Sequence, residues 1–205
     1  MPKVTEEHRH AKRLEILSAA EGVLLRQGYE ATTMKDIVEA SGKSFGGVYM
    51  YYKNKEELFY DLLKRRYAEM EPDFAQAERR TAWEALELFM EGQRKRAEKA
   101  ADGLAPVMYE FFIAGRRDDK RKALQEERYK AVHGAVRKLL QQGIERGEFA
   151  PKEQADTVAH ALVSFLDGVF MEAILNGHER IGLREQFGFM VRVLETALGR
   201  EKAGR

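Results

Sequence analysis

The stretch TTMKDIVEASGKSFGGVYMYYKNKEE, residues 32–57, decides how the front of this chain folds. Thr33 and Asp36 stand three positions apart, as in a capping box, and predict the start of a short helix. Residues 41–43, Ser-Gly-Lys, predict a turn, and a second short helix follows it. Asn54 is a favourable N-cap for the next helix. Two short helices joined by so tight a turn predict a helix-turn-helix, a shape that fits the major groove of DNA.

The second short helix, predicted over about residues 44–52, has an unusual composition for a core element. It contains Gly46 and Gly47, each of which costs about 1 kcal/mol relative to alanine in a helix interior. Glycine lets the main chain approach a phosphate backbone closely, which would explain this composition. Side chains beside the glycines could contact phosphates, base edges or thymine methyl groups. Core packing is expected for Val48 and Tyr52 and stays open for Phe45, whereas Tyr49, Met50 and Tyr51 cannot all point inward.

Lys55 is predicted at the first position of the helix that follows. A cation there is unfavourable for the helix dipole, which prefers acidic side chains at the N-terminus. A phosphate bound by the backbone N–H groups of the helix start and by Lys55 would remove the conflict. The position therefore predicts an anchor for the DNA backbone.

The run GYEATT at residues 28–33, followed by MKDIVEASGKSFGGVYMYYKNKEELF at residues 34–59, resembles the N-terminal domain of the TetR/AcrR family of bacterial transcriptional regulators. The resemblance covers about residues 10–66, and its spacing and residue types are more specific than those of a generic helix-turn-helix. It implies that Thr33, Ser44, Gly46, Tyr49, Tyr51 and Lys55 contact the DNA. Together with Lys35, Phe45, Gly47 and Met50, they form the predicted DNA-binding set.

Three positions depart from the family pattern. Phe45 stands where the family commonly has lysine, Gly47 where it has threonine or another polar residue, and Met50 where it has histidine. Two polar contacts are thereby lost and an apolar one is gained, so the operator sequence of relatives does not transfer to this chain. Contact between thymine methyl groups and Met50 or Phe45 is a hypothesis.

The composition favours an all-α protein of a reducing compartment. The four prolines, at 2, 72, 106 and 151, fall at predicted helix breaks. The absence of cysteine excludes disulfides and thiolate metal sites. The N-terminus lacks an apolar signal region, and we expect no apolar run to reach the ~18 residues of a membrane span. We therefore expect a cytoplasmic protein with no membrane partner.

The charge of the chain is nearly balanced, with a formal net charge of +1. Residues 1–66 carry 12 Lys and Arg against 10 Asp and Glu, and residues 67–205 carry 23 against 24. Bulk charge therefore cannot supply strong attraction to phosphates. Affinity for DNA would have to come from the placement of a few cations and helix ends, and from doubling by a dimer.

The remaining periodicity predicts the domain organisation. We expect a three-helix helix-turn-helix domain over residues 1–66, a ligand-binding and dimerisation domain over 67–199, and a polar tail at 200–205. A first helix over about 10–27 ends at Gly28, and a long fourth helix joins the two domains. Further helices are predicted to begin at the capping box of Thr81 and near residues 104, 119, 153 and 183.

The two closing helices carry more apolar surface than one bundle was expected to cover. A pair from each chain would form a four-helix interface in a homodimer, as the family resemblance also implies. The predicted interface residues are Val158, Leu162, Leu166, Val169, Phe170, Phe187, Val191 and Leu194. The alternative is that both faces pack inside one chain.

A group of aromatic and methionine side chains could line the cavity of a small-molecule effector. Its members are Trp83, Phe89, Met90, Met108, Phe111, Phe112, Tyr129 and Phe165, and Glu110, Glu172, Arg116 and Arg117 could set the charge of the ligand. Residues at helical spacing are more often plain core. The resemblance favours a cavity, because regulators of this family sense small molecules between their middle helices.

No motif typical of catalysis occurs in the sequence, so we expect no enzyme activity and no cofactor. Asp156 and His160 lie four positions apart on one helix face, but a lone pair of this kind is more often a surface hydrogen bond than a metal site. His133 and His178 stand isolated in the sequence. No metal site is predicted.

Two functions of different classes remain. The first is a homodimeric repressor that a ligand releases from a near-palindromic operator, with its front domains in successive major grooves about 34–36 Å apart. The second is a helical carrier of hydrophobic molecules without a role on DNA. Lys55, Tyr49 and Thr33 favour the first, because a carrier has no use for them. Activation by the same fold also remains open, since its sign depends on the position of the operator.

Overall fold

The computed structural model describes residues 6–70 and 80–200, with only the backbone for residues 67–70. The predicted all-α class is confirmed, because these ranges contain nine α-helices, a 3₁₀ turn at Ala100–Asp102 and no strand. The helices are α1 (Glu6–Ala31), α2 (Met34–Ser41), α3 (Phe45–Tyr49), α4 (Lys55–Met70), α5 (Ala82–Glu98), α6 (Ala105–Ala114), α7 (Asp119–Glu145), α8 (Ala155–Asn176) and α9 (Leu183–Ala197).

The chain divides into two compact units. The front unit comprises residues 1–70 and 106–115, and the back unit comprises residues 71–105 and 116–205. This division differs from the predicted boundary at residue 66, because nearly all of α6 belongs to the front unit. Phe111 explains the difference: its side chain is fully buried, and its ring packs edge-on against Tyr29 and Phe59, with centroids 4.7 and 4.9 Å away.

The front unit is built around one apolar stripe of α1. Ile16, Leu17, Ala20, Val23 and Leu24 are all buried there, as their three- and four-residue spacing predicts. The helical geometry is interrupted at Gly28, where φ is 81° and ψ is 175°. This break agrees with the predicted end of the first helix, although the chain resumes helical structure to Ala31.

The back unit is a helical bundle with one continuous apolar core. The predicted capping box of Thr81 and Glu84 is present at the start of α5. The core side chains come from α5, α7, α8 and α9, and they include Trp83, Leu86, Leu140, Leu162 and Phe187. Residues 201–205 of the predicted polar tail lie outside the described residues, whereas the guanidinium of Arg200 lies 4.6 Å from the centre of the Trp83 ring.

The burial of α8 and α9 corrects the predicted dimer residues. Val158, Leu162, Leu166, Val169, Phe187 and Leu194 are at most 6% exposed within a single chain and belong to its core. Phe170 and Val191 are half-buried and pack against the same core. The alternative, that these residues pack inside one chain, is therefore correct for this set. The pair of helices instead exposes other apolar side chains, namely Leu175, Phe189 and Val193.

The helix α8 also corrects the statement that no apolar run is long enough for a membrane span. Within the described ranges it is the one helix that meets the requirement by length and composition. Seven of its side chains are buried, and it packs against α7, α5 and α9 in the back unit. This burial is typical of the central helix of a folded bundle, which is apolar for that reason.

Candidate nucleic-acid interface

Local hydrogen bonds fix the start of α2, and a glycine at its end begins the turn to α3. The Thr33 hydroxyl accepts the N–H of Asp36 at 3.2 Å, and the Asp36 carboxylate accepts the N–H of Thr33 at 2.8 Å, which completes the predicted capping box. The Thr33 hydroxyl also donates to the Asp36 carboxylate at 2.7 Å, and this bond, followed by the one from the Thr33 N–H, lowers the pKa of Asp36 below its ordinary value of 3.8. Gly42 ends the helix in the left-handed region, with φ 63°. The predicted turn is therefore present at Ser41-Gly42-Lys43.

The short helix α3 depends on packing, because five residues are too few to be stable alone. The Ser44 hydroxyl caps it by accepting the N–H of Gly47 at 3.1 Å. Val48 is fully buried and Tyr52, just beyond the helix, is 3% exposed, as predicted. These two side chains attach α3 to the front-unit core.

A partly buried polar network links Tyr52, just beyond α3, to α1 and α4. The Tyr52 hydroxyl donates to Asp61 of α4, and Arg13 of α1 donates to both, at 3.2 Å to the Tyr52 oxygen and 2.6 Å to an Asp61 oxygen. Burial, and then the hydrogen bond to Asp61, raise the pKa of Tyr52 well above its ordinary value, so the hydroxyl keeps its proton. No local pattern predicts this network, because Arg13 lies 39 residues from Tyr52 and 48 from Asp61.

The opposite side of α3 presents apolar and aromatic side chains to solvent. Met50 is 79% exposed, Phe45 54% and Tyr49 45%, and the Phe45 and Tyr49 rings stack with centroids 6.4 Å apart. Apart from its chain neighbours and the backbone of its own helix, a Cβ atom on Gly46 would meet no atom of the described residues within 4 Å, so no packing seen there requires a glycine. We refer to Phe45, Gly46, Tyr49 and Met50 as the α3 face. Exposed apolar groups clustered in this way are typical of a binding surface.

The structure corrects the role predicted for Lys55. Its ammonium group donates hydrogen bonds to three backbone carbonyls at the end of α1, those of Tyr29 at 2.7 Å, Thr32 at 2.9 Å and Glu30 at 3.1 Å. It also lies 4.4 Å from the centre of the Tyr29 ring. An ammonium has three donors, so this set uses all of them. The Lys55 side chain therefore links α4 to the end of α1, and its ammonium is not available to bind a phosphate.

The other residues of the predicted DNA-binding set differ in their solvent exposure and in the hydrogen bonds that they already make. The Thr33 hydroxyl is engaged in the α2 cap and the Ser44 hydroxyl in the α3 cap, whereas the Lys35 side chain is 70% exposed. Gly47 lies against the Ser44 hydroxyl and Tyr51 is half-buried. Lys43 in the turn pairs with Glu15 of α1, which raises the pKa of Lys43 and lowers that of Glu15. The most accessible members are thus Lys35 and the α3 face.

Glu110 of α6 has a structural partner that the sequence analysis did not find. Its carboxylate accepts the backbone N–H groups of Tyr29 and Glu30, each at 2.8 Å. The carboxylate predicted to set the charge of a ligand is therefore used to bind the end of α1. No local sequence pattern predicts such a hydrogen bond, because its partners are about 80 residues apart.

The residues of the predicted effector-binding set are divided between the two units. Met108, Phe111 and Phe112 lie in the front unit, whereas the other five residues lie in the back unit. Phe111 is core, and Trp83, Phe89 and Met90 belong to the back-unit core. A surface groove of about 380 Å³ is lined by Arg80, Glu84, Glu87, Leu88 and Glu91, none of which was predicted. The alternative, plain core packing, is therefore correct for Trp83, Phe89, Met90 and Phe111.

Comparison with known proteins supports the reading of both units. Residues 16–62 match the family described as bacterial regulatory proteins, tetR family, and residues 85–184 match the tetracyclin repressor-like C-terminal domain. The uncharacterized HTH-type transcriptional regulator YfiR of Bacillus subtilis is 36% identical over 180 residues, which cover 87% of this chain and 88% of the relative. The HTH-type transcriptional repressor AcnR of Corynebacterium glutamicum is 27% identical over 173 residues, 84% of this chain and 87% of that protein.

Solved structures show the same fold. A TetR transcription regulator from Haloarcula marismortui superposes with a TM-score of 0.78 at 21% identity, over 90% of this chain and 98% of that chain. Salmonella enterica GusR does so with a TM-score of 0.74 at 18% identity, over 96% and 99%. The helix-turn-helix, the all-α fold and the full-length similarity to YfiR agree, and the chain belongs to the tetR family of bacterial regulatory proteins.

Proposed function

We propose that this regulator is a homodimeric repressor that binds a near-palindromic operator and is released from it by a small, hydrophobic molecule in the cytoplasm. The observation that carries the DNA-binding part is the α3 face, whose exposed rings and thioether stand on a capped helix attached to a rigid core. Repression is favoured because AcnR, a relative over most of its length, is named a repressor.

The α3 face would read the operator mainly through apolar contact. Met50 and Phe45 are suited to thymine methyl groups, and the Tyr49 hydroxyl to a phosphate or a base edge. Lys35 would supply a phosphate contact, since its side chain is 70% exposed and only loosely paired with Glu39 at 3.8 Å. A surface with so few cations binds one half-site weakly, which makes two copies on two half-sites necessary.

The dimer would form through the outer faces of α8 and α9. One side of α8 exposes four positions that are three, four and seven residues apart, namely Ala161, Ser164, Gly168 and Leu175. On α9 Phe189 and Val193 are 59% and 39% exposed and are four residues apart. Small residues on one helix beside large ones on the other permit close packing of a four-helix interface. These residues replace the buried set that the sequence suggested.

The effector would act through α6. The chain leaves the back unit for residues 106–115 and then returns to it, so a rearrangement of the back unit can be transmitted to α6 through both of its ends. The Glu110 carboxylate holds the N–H groups at the end of α1, and Phe111 packs on Tyr29 and Phe59. Movement of α6 would therefore disturb the support of α2 and α3. A ligand shifts this equilibrium only by its difference in affinity for the two states.

The DNA-binding part is tested by gel shift with the full chain at low salt, first on DNA upstream of its own gene and then on a pool of random duplexes. We expect the wild-type protein to bind the DNA and slow its migration in the gel. Tyr49→Ala and Met50→Ala should each lose most of the affinity for DNA. Leu25→Ala removes an apolar side chain of similar exposure, 42%, from α1 and should leave binding unchanged. Lys35→Ala should reduce the slope of log affinity against log salt by about 2, one for each copy in the dimer.

Failure of the wild type to bind either DNA at low salt would support the carrier instead. Once an operator is known, addition of an organic extract of the host cells should release the complex. An extract that leaves the complex intact at every concentration would contradict hydrophobic induction, but it would not affect the DNA-binding part.

A further inference from the structure

Three polar side chains that are separated in the sequence meet where α7 packs against α8. Asp156 and His160 lie one turn apart on α8, and His133 of α7 joins them, with the two imidazole rings stacked at a centroid distance of 4.1 Å. One ligand atom from each residue lies within 4.8 Å of the other two. The sequence alone predicts only a surface pair of Asp156 and His160, because no local pattern places His133 beside them.

The ring nitrogens converge on the carboxylate. Nε2 of His160 is 3.3 Å from one Asp156 oxygen, and Nε2 of His133 is 3.6 Å from the other. A tetrahedral ion bound at about 2.0–2.1 Å separates its ligand atoms by about 3.3 Å. The two nitrogen–oxygen separations are thus close to those that such an ion requires, and the three ligand atoms lie within 4.8 Å of one another.

The burial of His133 indicates that the group is more than a solvated ion pair. Its side chain is only 13% exposed, and within residues 6–70 and 80–200 nothing offers its Nε2 a hydrogen bond. An unsatisfied buried polar atom costs about 1–3 kcal/mol. A cation bound at this nitrogen would remove that cost. His160 and Asp156 are about half exposed, which leaves a path for an ion to enter.

A second contact prepares His160 for this role. The Tyr129 hydroxyl of α7 is hydrogen-bonded to Nδ1 of His160, and the Tyr129 ring stacks on both histidines. If Nδ1 carries the proton, Nε2 is left with a free lone pair directed at the carboxylate. Metal-binding histidines commonly have their second nitrogen fixed in this way. Tyr129, predicted to line an effector cavity, would then act as a positioning residue.

Arg137 is the charged neighbour that an ion would have to tolerate. Its Nε lies 3.4 Å from Asp156, the same carboxylate that both histidines face. The Arg137 side chain is 64% exposed, so it can turn into solvent at little cost when a cation arrives. Arg137 and a metal ion would therefore compete for Asp156, and removal of the guanidinium should strengthen metal binding.

We propose that His133, Asp156 and His160 bind a divalent transition-metal ion of the zinc class, joining α7 to α8 and leaving one coordination position open. Two imidazoles and one carboxylate suit Zn²⁺ better than the oxygen-preferring Mg²⁺ or Ca²⁺. This site is independent of the proposed repressor function, since it uses no residue of the α3 face or of the dimer surface. Metal binding and DNA binding can therefore fail separately.

The test is a titration of the chelator-treated full chain with Zn²⁺ in competition with a chromophoric chelator. We expect one tightly bound equivalent per chain and a higher unfolding temperature in its presence. His160→Phe keeps a ring in the stack and Asp156→Asn keeps the shape of the carboxylate, and each should abolish tight binding. Tyr129→Phe should weaken the affinity by about 10- to 100-fold. Circular dichroism would verify that each variant is folded.

Histidines outside the site supply the controls. His178→Gln changes a histidine of the same unit, and the double variant His8→Gln, His10→Gln removes the exposed pair at the start of α1. Both proteins should bind Zn²⁺ as the wild type does, and Arg137→Gln should bind it more tightly. The proposal is overturned if His160→Phe and Asp156→Asn retain wild-type affinity, if the wild type binds no Zn²⁺ more tightly than they do, or if only the His8 and His10 variant loses it.

Discussion

The Glu110 carboxylate accepts the backbone N–H of Tyr29 at 2.8 Å, across about 80 residues of sequence. A second oxygen accepts the N–H of Glu30 at the same distance. This approach is possible because residue 28 is glycine: a Cβ atom there would lie 2.7 Å from a Glu110 oxygen. The break in α1 at Gly28 is thus the point where α6 is attached to the DNA-binding helices.

Lys55 binds the carbonyls of the same segment. Tyr29 and Glu30 therefore present their N–H groups to the carboxylate of α6 and their carbonyls to the ammonium of α4. Charged groups of opposite sign satisfy both kinds of backbone group, and hydrogen bonds to charged groups are stronger than neutral ones. We call residues 28–32 the clamp segment, since α2 begins directly after it.

Gly28→Ala is expected to destabilise the front unit strongly. A φ of 81° with a ψ of 175° is a region that essentially only glycine adopts, and occupying it with alanine costs about 1–3 kcal/mol. The added Cβ would also push the Glu110 carboxylate away from the N–H groups. Urea unfolding, followed by far-ultraviolet circular dichroism, should show an earlier transition for the front unit.

The cause can be separated by a double-mutant cycle with Glu110→Ala. If the clash contributes, Gly28→Ala should cost less free energy of unfolding in the Glu110→Ala background than in the wild type. Equal costs in both backgrounds would show that backbone strain alone is responsible. A Gly28→Ala protein as stable as the wild type would show that the described geometry is wrong.

Lys55→Met is expected to act on folding and not on phosphate contact. Methionine keeps much of the length of the side chain but removes the three donors, so the carbonyls of the clamp segment lose their partner at a cost of about 1–3 kcal/mol. The measurements are the free energy of unfolding and the salt dependence of DNA affinity. Lys55→Met should lower the first and leave the second unchanged.

The opposite pattern would restore the original interpretation of Lys55. A phosphate anchor would leave the stability of the variant unchanged and reduce the slope of log affinity against log salt by about 2, one for each copy in the dimer. Lys35→Met is the matched control, because its ammonium is exposed and should show that pattern. The two lysines thus distinguish a structural cation from a phosphate-binding one within the same unit.

The sequence predicts those interactions whose partners lie close together in the chain. The Thr33–Asp36 box, the Gly42 turn and the Asn54 cap involve residues at most three positions apart, and each is present in the structure. The bonds of Lys55 and Glu110 connect residues about 25 and 80 positions apart, which no local pattern encodes. Lys55 was therefore interpreted through the helix it begins, although its ammonium binds another helix.

The same reasoning explains the errors in the back unit. Helical periodicity identified the apolar faces of α8 and α9, but it could not show which face the chain covers itself. The most regular stripe, which includes Leu162 and Leu166, became the core, and the less regular one with Leu175 and Phe189 is exposed. His133 was judged isolated because its neighbour His160 is 27 positions away in the sequence.

Gly46→Ala separates the requirements of folding from those of DNA contact. Outside its own stretch of helix, a Cβ atom at this position would meet no atom within 4 Å in the part of the chain that the structure describes, and alanine is favoured over glycine in a helix by up to about 1 kcal/mol. The variant should therefore unfold at the same or a higher urea concentration than the wild type. If the main chain of α3 approaches the DNA closely, the same variant should bind the operator more weakly. Weaker folding, or unchanged DNA affinity, would show that the glycine serves another purpose.

Glu91→Gln is expected to change the acid stability of the back unit. Arg94 donates to both carboxylate oxygens of Glu91, at 2.6 and 2.7 Å, and these hydrogen bonds lower the pKa of Glu91 from 4.5 to about 2. A pKa that is lower in the folded state means that folding favours the deprotonated form. The stabilisation is therefore complete above pH 4.5 and is lost as the pH falls from 4.5 towards 2. Since the Glu91 side chain is 45% exposed, solvent screening keeps the effect small.

The measurement is the difference in free energy of unfolding between the wild type and Glu91→Gln at several pH values. The wild type should be the more stable protein at pH 7, and the difference should shrink between pH 4.5 and 2, because the protonated glutamate resembles glutamine. Carboxylates that do not contact Arg94, such as Glu84 with its lowered pKa, contribute equally to both proteins and cancel in the difference. A difference that stays constant down to pH 2 would show that the pair with Arg94 does not favour the folded state.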